Sequence, residues 1–302
     1  MKFKASDLWQ HNITNVMGDI SSEKLENFKR SPINFKISQF NPRTNGMRYL
    51  KTMLYNLVRH QTTEFWDMLG HIENRDVGNP IDVSINGKRI CLDYYQAVME
   101  IMFLKSYISM HKANILEIGA GYGRTCHSIM CNFDIGSYTI VDLEPCLQLS
   151  RMYLKRVLLQ DEYRKVRFLS AQEFDEGVES DVDLTINIDS FAEMHPDVYI
   201  AYKRYIKEHS RYFYVKNPVG KYRDPPLDGD SQGIAVVEMA LSTGPLREIV
   251  DIDDSREIEN QVDKFLLAYN PGSSWKCVSH TQAPPWTYYW QAIYEVEKRD
   301  QE

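Results

Sequence analysis

From residue 114 onward, the chain alternates short apolar segments with segments whose apolar residues recur at helical spacing. Short apolar segments predict β-strands, and apolar residues three and four positions apart predict helices. The predicted strands are 114–118, 138–141, 166–169, 183–188 and 212–215, and the predicted helices between them are 124–132, 147–159 and 196–208. This βαβα order indicates a parallel sheet covered by helices on both faces.

The C-terminal part follows a different pattern. Residues 217–254 are rich in proline and glycine and too long for an ordinary connection, so we expect an insertion with a short helix at 234–241. Because it follows a strand at the carboxyl edge of the sheet, this insertion is a candidate lid. A helix at 255–269 and strands at 275–279 and 288–296 come next, and their short link favours an antiparallel pair at the end of the sheet.

Residues 1–92 are predicted to form an N-terminal helical cap. Helical spacing predicts helices at 22–28, 47–59 and 62–72, the last capped by Thr62 or Thr63. Asn86-Gly87 between two short alternating segments predicts a β-hairpin within 81–92. A helix at 93–111 then opens the predicted core, residues 93–302.

Composition narrows the class of protein. Of 302 residues, 43% are hydrophobic and 25% charged, which is typical of a soluble globular protein with an ample core. Mean hydropathy is −0.44, and we expect no membrane span and no secretory signal. Five cysteines without a CxxC pair indicate neither a zinc site nor a disulfide framework, so we expect a cytoplasmic protein.

The net charge of −7 argues against a nucleic-acid partner, but the charge is uneven. Residues 27–63 contain seven Lys and Arg and no acidic residue. One interpretation is a solvated helix face. The other is a binding surface for an anionic small-molecule acceptor, with Arg43 and Arg48 in contact because 42–46 reads as a loop leading into a helix.

The chemistry is concentrated after the first core strand, where Gly119-x-Gly121-x-Gly123 leads directly into a helix. Glycines allow a sharp turn and close approach of a ligand to the backbone. A dinucleotide site would want a third glycine at position 124, and the bulky Arg124 there weakens that alternative. Asp142 ends the next strand, where a carboxylate accepts hydrogen bonds from ribose hydroxyls, and Glu144 is its nearest rival.

With Glu117 two residues before the first glycine, this loop resembles the first motif of class I S-adenosylmethionine-dependent methyltransferases. From about residue 66 the chain further resembles the sugar O-methyltransferases of bacterial glycan and natural-product gene clusters, in the segments VSINGKRICLDYYQAVMEI, LEIGAGYGRTCHSI, YTIVDLEP and INIDSFAEM. The resemblance implies a Rossmann-like α/β core with a seven-stranded, mostly parallel sheet whose last strand is antiparallel.

The resemblance also implies S-adenosyl-L-methionine as cofactor and a set of residues that bind it. Glu117 would face the methionine ammonium group, Asp142 the ribose, and Ala171 and Gln172 the adenine ring, while Asp189 and Ser190 would lie beside the transferred methyl group. The implied cofactor-binding residues are Glu117, Gly119, Ala120, Gly121, Tyr122, Gly123, Asp142, Leu143, Ala171, Gln172, Asp189 and Ser190.

Methyl transfer to a hydroxyl needs a base that removes the proton, and three residues near the carboxyl ends of the later strands are candidates: Glu193, His195 and His280. Each residue could instead have a structural role. Glu193 or His195 could stabilise the start of the helix that follows, and His280 could be a hydrogen-bonded structural histidine. Some sugar methyltransferases use a divalent cation, but no ligand spacing is diagnostic here, so we assign no metal site. Tyr222 and Trp286 are candidate acceptor contacts.

The predicted function is S-adenosylmethionine-dependent O-methylation of a sugar or sugar-bearing small molecule. Two alternatives stay open, namely a non-sugar acceptor such as an amine or peptide, and a cofactor-binding partner subunit without catalysis. A homo-oligomer is compatible with either.

Overall fold

The computed structural model describes residues 6–17, 29, 31–174, 181–223 and 234–297. The predicted helix at 22–28 lies outside these residues. By its contacts the chain divides into two compact units, a smaller one of Met1–His60 and Ile81–Arg89 and a larger one of Gln61–Pro80 and Ile90–Glu302. Residues 61–80, included in the predicted cap, therefore belong to the larger unit. Within the described residues, no helix is both long and apolar enough to cross a membrane.

The smaller unit is mainly helical. Its helices are α1 (Asp7–Asn12), which continues as a π-helix (Ile13–Met17), α2 (Pro32–Ile37) and α3 (Pro42–Val58). Strand β1 (Asp82–Ile85) pairs with β2 (Lys88–Cys91) in a hairpin. Asn86 and Gly87 between them have φ angles of 51° and 79°, which is the conformation of a type I′ turn.

Residues 42–46 are helical, so the prediction of a loop there is wrong. The Asn41 side chain accepts a hydrogen bond from the backbone N–H of Arg43 at 3.0 Å and caps α3. Pro42 occupies the first turn, where its missing N–H costs nothing and its fixed φ suits a helix start. The helix is kinked at Asn45, whose φ of −120° is not helical.

Two helices precede the sheet of the larger unit, α4 (Thr63–His71) and α5 (Leu92–Leu104). Thr62 caps α4 through a hydrogen bond from the backbone N–H of Phe65 at 3.2 Å. The predicted helix at 93–111 is too long, because the backbone tightens into turns after Leu104. Ile108 and Met110 beyond the turn are buried, so the apolar pattern continues where the helix does not.

The sheet has seven strands: β3 (Asn114–Ile118), β4 (Ser137–Asp142), β5 (Val166–Ser170), β6 (Val182–Ile188), β7 (Ser210–Pro218), β8 (Trp275–Gln282) and β9 (Tyr289–Val296). Their spatial order is β5-β4-β3-β6-β7-β9-β8. Strands β3 to β7 pair in parallel, and β9 is antiparallel to both β7 and β8. This is the Rossmann-like arrangement of class I methyltransferases, and the predicted fold class is confirmed.

The remaining helices are α6 (Arg124–Asn132), α7 (Glu144–Val157), α8 (Gln160–Tyr163), α9 (Pro196–His209), α10 (Ile234–Leu241), α11 (Ser255–Asn260) and α12 (Val262–Tyr269). The last two were predicted as one helix at 255–269, which breaks at Gln261. Side chains of α5, α6 and α7 meet on one face of the sheet, and an aromatic cluster from α9 and α12 packs on the other.

Strand order reverses between β3 and β6, so the segments that follow these two neighbouring strands leave the sheet in opposite directions. Open α/β sheets bind ligands in the crevice that forms at such a point, outside the carboxyl ends of the strands. The glycine loop follows β3 and Asp189 follows β6, so the topology brings two of the predicted site segments to this crevice.

Candidate functional site

The loop between β3 and α6 contains three glycines in the left-handed region, with φ of 77° at Gly119, 58° at Gly121 and 91° at Gly123. A Cβ on Gly119 would lie 2.0 Å from Ser190 Oγ, so the loop touches the turn after β6. A Cβ on Gly121 would meet no heavy atom of the described residues within 4 Å. The loop therefore packs tightly at its first glycine and leaves open space beside its second.

Asp142 ends β4 beside this open space. Its carboxylate accepts hydrogen bonds from the backbone N–H groups of Gly121 at 2.8 Å and Leu143 at 2.7 Å. Glu144, the rival carboxylate, instead pairs with Arg151 at 2.8 Å on the exposed surface of α7. The geometry favours Asp142 over Glu144 as a ligand-binding group, and the exposed Leu143 adds an apolar surface next to it.

Glu117 is buried between the sheet and the start of α6. Its Oε2 accepts a hydrogen bond from the Tyr138 hydroxyl at 2.8 Å. Burial raises the pKa of Glu117 to about 7, although the hydrogen bonds from Tyr138 and Thr125 and the charge of Arg124 act in the opposite direction. The contacts of this carboxyl group within the described residues are to the protein itself, and its role toward a cofactor stays a prediction.

Arg124, the residue that weakens the dinucleotide interpretation, is anchored in the protein interior. Its guanidinium forms a salt bridge to the buried Glu100 of α5 at 2.8 Å, and Lys216 of β7 reaches the same carboxylate at 2.8 Å. Tyr122 in the loop donates a hydrogen bond to Asp93 Oδ2 at 2.9 Å. These contacts fix the loop to α5, and the sequence patterns did not identify Asp93, Glu100 or Lys216.

The turn after β6 holds Asp189 in an uncommon conformation, with φ of 68°. Its Oδ1 accepts a hydrogen bond from the Tyr289 hydroxyl at 2.6 Å. Ser190 Oγ donates to the carbonyl of Ile118 at 3.2 Å and accepts from Asn187 Nδ2 at 2.7 Å. The turn is thus tied to β3 on one side and to β9 on the other.

A cavity of about 540 Å³ lies at the ends of β6 and β7 and next to Asp189. Its lining combines charged side chains, a tyrosine wall and the apolar surface of α10. The charged and tyrosine residues are Asp189, Glu193, Lys221, Tyr222, Tyr288 and Tyr289. Such a mixture of a few polar groups with aromatic and apolar surface is typical of small-molecule sites.

Of the three candidate bases, Glu193 lines this cavity. Burial, and then the neighbouring Asp189 charge, raise the pKa of Glu193, while Lys221 lowers it. His195 caps α9 by accepting a hydrogen bond from the backbone N–H of Asp197 at 3.3 Å, and its side chain is 71% exposed. His280 is exposed on β8, where its Nδ1 accepts a hydrogen bond from Trp290 Nε1 at 3.1 Å. Neither histidine belongs to the described cavity lining.

The other predicted contacts are dispersed. Ala171 and Gln172 follow β5 and line a surface cavity of about 770 Å³, and the backbone N–H of Ala171 donates to the carbonyl of Asp142 at 2.9 Å. Trp286 is exposed in the β8–β9 loop, outside the described lining of the 540 Å³ cavity.

Both predicted arginine contacts belong to the smaller unit. Arg48 packs over the Phe40 ring at 4.1 Å, and Arg43 is exposed near the start of α3. Among the described residues no group of three or more His, Cys, Asp and Glu side chains is arranged to hold a metal ion.

Among the charged and tyrosine residues that line the cavity, the sequence did not identify Lys221, Tyr288 or Tyr289 as candidate contacts. Tyr288 and Tyr289 are adjacent at the start of β9, so alternation would place only one of them on each face. Tyr288 lies just before the first residue of β9, where strand alternation does not yet apply, and both tyrosines line the cavity. Lys221 follows β7 by three residues, and that position at the carboxyl edge was the available signal.

No protein-family model and no curated protein matches the chain. The solved structures that resemble it include several methyltransferases. The methyltransferase domain of bacterial CtHen1-C has 12% identity and a TM-score of 0.46, with 67% of this chain and 97% of that chain covered. An S-adenosylmethionine-dependent methyltransferase from Clostridium acetobutylicum has 12% identity and a TM-score of 0.43, with 68% and 93% covered. The mitomycin 7-O-methyltransferase MmcR has 11% identity and a TM-score of 0.42, with 85% and 70% covered. At these identities the likeness concerns the fold alone.

Proposed function

We propose that this protein is an S-adenosylmethionine-dependent methyltransferase that methylates a hydroxyl group of a sugar or sugar-bearing small molecule. The observation that carries the proposal is that the open region beside Gly121 and the cavity next to Asp189 are neighbours. An open glycine loop with Asp142 beside it lies next to a cavity lined by the Glu193 carboxylate, and the turn of Asp189 and Ser190 borders both, because Ser190 meets Gly119 and Asp189 lines the cavity.

The residues present fit the cofactor. The space at Gly121 is open to a ligand, and the Asp142 carboxylate is positioned to accept hydrogen bonds from two ribose hydroxyls. The exposed side chain of Leu143 provides an apolar surface for a ring, and Ala171 contacts the backbone of Asp142 on the adjacent strand. Arg124 occupies the position where a dinucleotide site would need glycine, which favours S-adenosylmethionine over NAD.

When bound, the cofactor supplies an electrophilic methyl group on a sulfonium. The protein has to hold the acceptor oxygen in line with that methyl carbon and to receive the hydroxyl proton as the new C–O bond forms. Glu193 is suited to receive the proton, because its carboxylate lies in the cavity without a hydrogen-bonding partner among the described residues and its pKa is raised. The bound cofactor would also supply the leaving group, a neutral thioether, as its C–S bond is broken in the same displacement.

The cavity lining supports a polar acceptor with ring surfaces. Tyrosine rings pack against the apolar faces of sugars, while their hydroxyls and the Lys221 ammonium group hydrogen-bond to the sugar hydroxyls. Helix α10, the described helix of the predicted insertion, also lines this cavity, which supports the proposal that the insertion acts as a lid. If the insertion is a lid, cofactor and acceptor should slow limited proteolysis near Asp228-Gly229, a position outside the described residues.

Calorimetric titration with S-adenosylhomocysteine tests the cofactor site. We expect Asp142→Ala to weaken binding by roughly 1.5–3 kcal/mol, the scale of lost hydrogen bonds to a charged group. Gly121→Val should abolish binding, because it fills the open space and forces a branched residue into a left-handed conformation. Glu144→Ala, the matched control, should leave the affinity unchanged.

Equal affinity of the wild-type protein and both site variants would overturn the cofactor assignment. Release of S-adenosylhomocysteine in the presence of hydroxylated acceptors then tests catalysis. Tight binding with no turnover on any acceptor would instead indicate the non-catalytic partner subunit.

A further inference from the structure

The cavity next to Asp189 has an excess of negative charge. Two carboxylates, Asp189 and Glu193, face one ammonium group, that of Lys221. Lys221 Nζ is tethered to the cavity wall by hydrogen bonds to the carbonyl of Ala192 at 2.7 Å and to Thr243 Oγ1 at 3.1 Å. Its charge is offset first by Glu193. The Asp189 carboxylate forms no salt bridge within the described residues, although the charges of Lys221 and Lys216 both act on it.

The Asp189 carboxylate is held in a fixed orientation. The Tyr289 hydroxyl donates to Oδ1 at 2.6 Å, and the backbone N–H of Asp189 donates to the carbonyl of Lys216 at 2.8 Å. Oδ2 has no hydrogen-bond donor among the described residues. A non-glycine residue at φ of 68° is uncommon, and such outliers concentrate at functional sites. The arrangement leaves one oxygen of a fixed carboxylate available to a ligand.

A continuous wall of tyrosines lies beside this oxygen. The Tyr222 and Tyr288 rings have centroids 5.1 Å apart, and the Tyr288 and Tyr289 rings are also 5.1 Å apart. The faces of aromatic rings are electron-rich and attract cations. A carboxylate oxygen together with aromatic faces is the combination that recognises an ammonium group, and it disfavours an anion.

We propose that the acceptor carries a protonated amino group in addition to the hydroxyl that is methylated. The ammonium group binds Asp189 Oδ2 and the tyrosine wall, and the hydroxyl lies near Glu193. The acceptor class is therefore a hydroxylated amine of the amino-sugar type. This inference rests on the proposed function, and it differs from the anionic acceptor that the basic segment at 27–63 suggested.

Ligand binding to the full-length protein in the presence of S-adenosylhomocysteine tests this inference, with glucosamine, N-acetylglucosamine and glucose 6-phosphate as probes. We expect glucosamine to bind the wild-type protein at least about tenfold more tightly than N-acetylglucosamine, the scale of a charged hydrogen bond. Asp189→Asn should remove that preference. Asparagine tolerates the left-handed conformation and still accepts from Tyr289, so the variant preserves the turn. Asp161→Asn, the same chemical change at an exposed position on α8, should retain the preference.

A preference for N-acetylglucosamine or glucose 6-phosphate, or no measurable binding of any probe, would overturn the inference. So would a preference for glucosamine that persists in Asp189→Asn. With a turned-over acceptor, a methyl group found on nitrogen rather than oxygen would also overturn it, because the anchored ammonium group is not the nucleophile. These failures differ from failure of the proposed function, which appears as loss of S-adenosylhomocysteine binding or of all turnover.

Discussion

Replacing Glu117 by glutamine tests the electrostatics beneath the glycine loop. The Glu117 carboxyl group is fully buried, accepts a hydrogen bond from Tyr138, and has a pKa of about 7. Glutamine has nearly the same shape, and its amide oxygen can accept the Tyr138 hydrogen bond while its NH₂ group faces the Thr125 hydroxyl. The variant therefore removes the ionisation of residue 117 with little change in packing.

The sign of the effect follows from proton linkage. In the unfolded chain the carboxyl group ionises near its ordinary pKa of 4.5, and in the folded protein near about 7. Between these values the folded state binds more protons, so the stability of the wild-type protein falls as the pH rises through this window. At about 1.4 kcal/mol per pKa unit, the cost above the window is ~3 kcal/mol. Glu117→Gln avoids that cost.

Urea unfolding followed by circular dichroism measures the effect. We expect the free energy of unfolding of Glu117→Gln to exceed that of wild type by ~3 kcal/mol at pH 8 and to match it near pH 4, below the pKa of the unfolded chain. Glu144→Gln, which changes an exposed carboxylate, should show little difference at either pH. A difference independent of pH, or a variant less stable at pH 8, would refute the reasoning, because the carboxylate would then be ionised and stabilised in the folded protein.

Two further variants test the base and the buried ion network. Glu193→Gln should lower kcat by about 10²- to 10⁴-fold and remove the acid limb of the pH–rate profile, with unchanged affinity for S-adenosylhomocysteine. The control His195→Ala should retain activity. A fully active Glu193→Gln, or loss of activity in His195→Ala, would contradict the assignment of Glu193 as the base. Glu100→Gln leaves the buried cations Arg124 and Lys216 without their carboxylate, so it should lower the free energy of unfolding in urea by ~3–5 kcal/mol. The control Glu64→Gln, at an exposed ion pair, should lower it by less than about 1 kcal/mol. Equal losses would show that the stability of the buried network does not depend on its charge.

Local patterns in the sequence predicted most of the strands and helices of the larger unit. Each strand contains a short, mainly apolar segment, as expected of parallel strands that helices cover on both faces. The helix Arg124–Asn132 and the helix Ile234–Leu241 match their predicted bounds. Errors arose at helix ends, because the apolar pattern persists beyond Leu104 and because proline at position 42 starts a helix.

The glycine loop and Asp142 could be identified from the sequence alone, because each lies directly after or at the end of a predicted strand, where the local residue pattern is enough to recognise it. Which candidate base faces a cavity depends on tertiary packing, since Glu193 and His195 follow β6 while His280 lies within β8, and their local sequences do not show which of them borders a cavity. The partners of Asp189 come from β9 and β7, and the partner of Arg124 comes from α5, all distant in sequence. Local periodicity specifies which residues are buried, but contacts between distant segments depend on strand order, and that order exists only in the folded sheet.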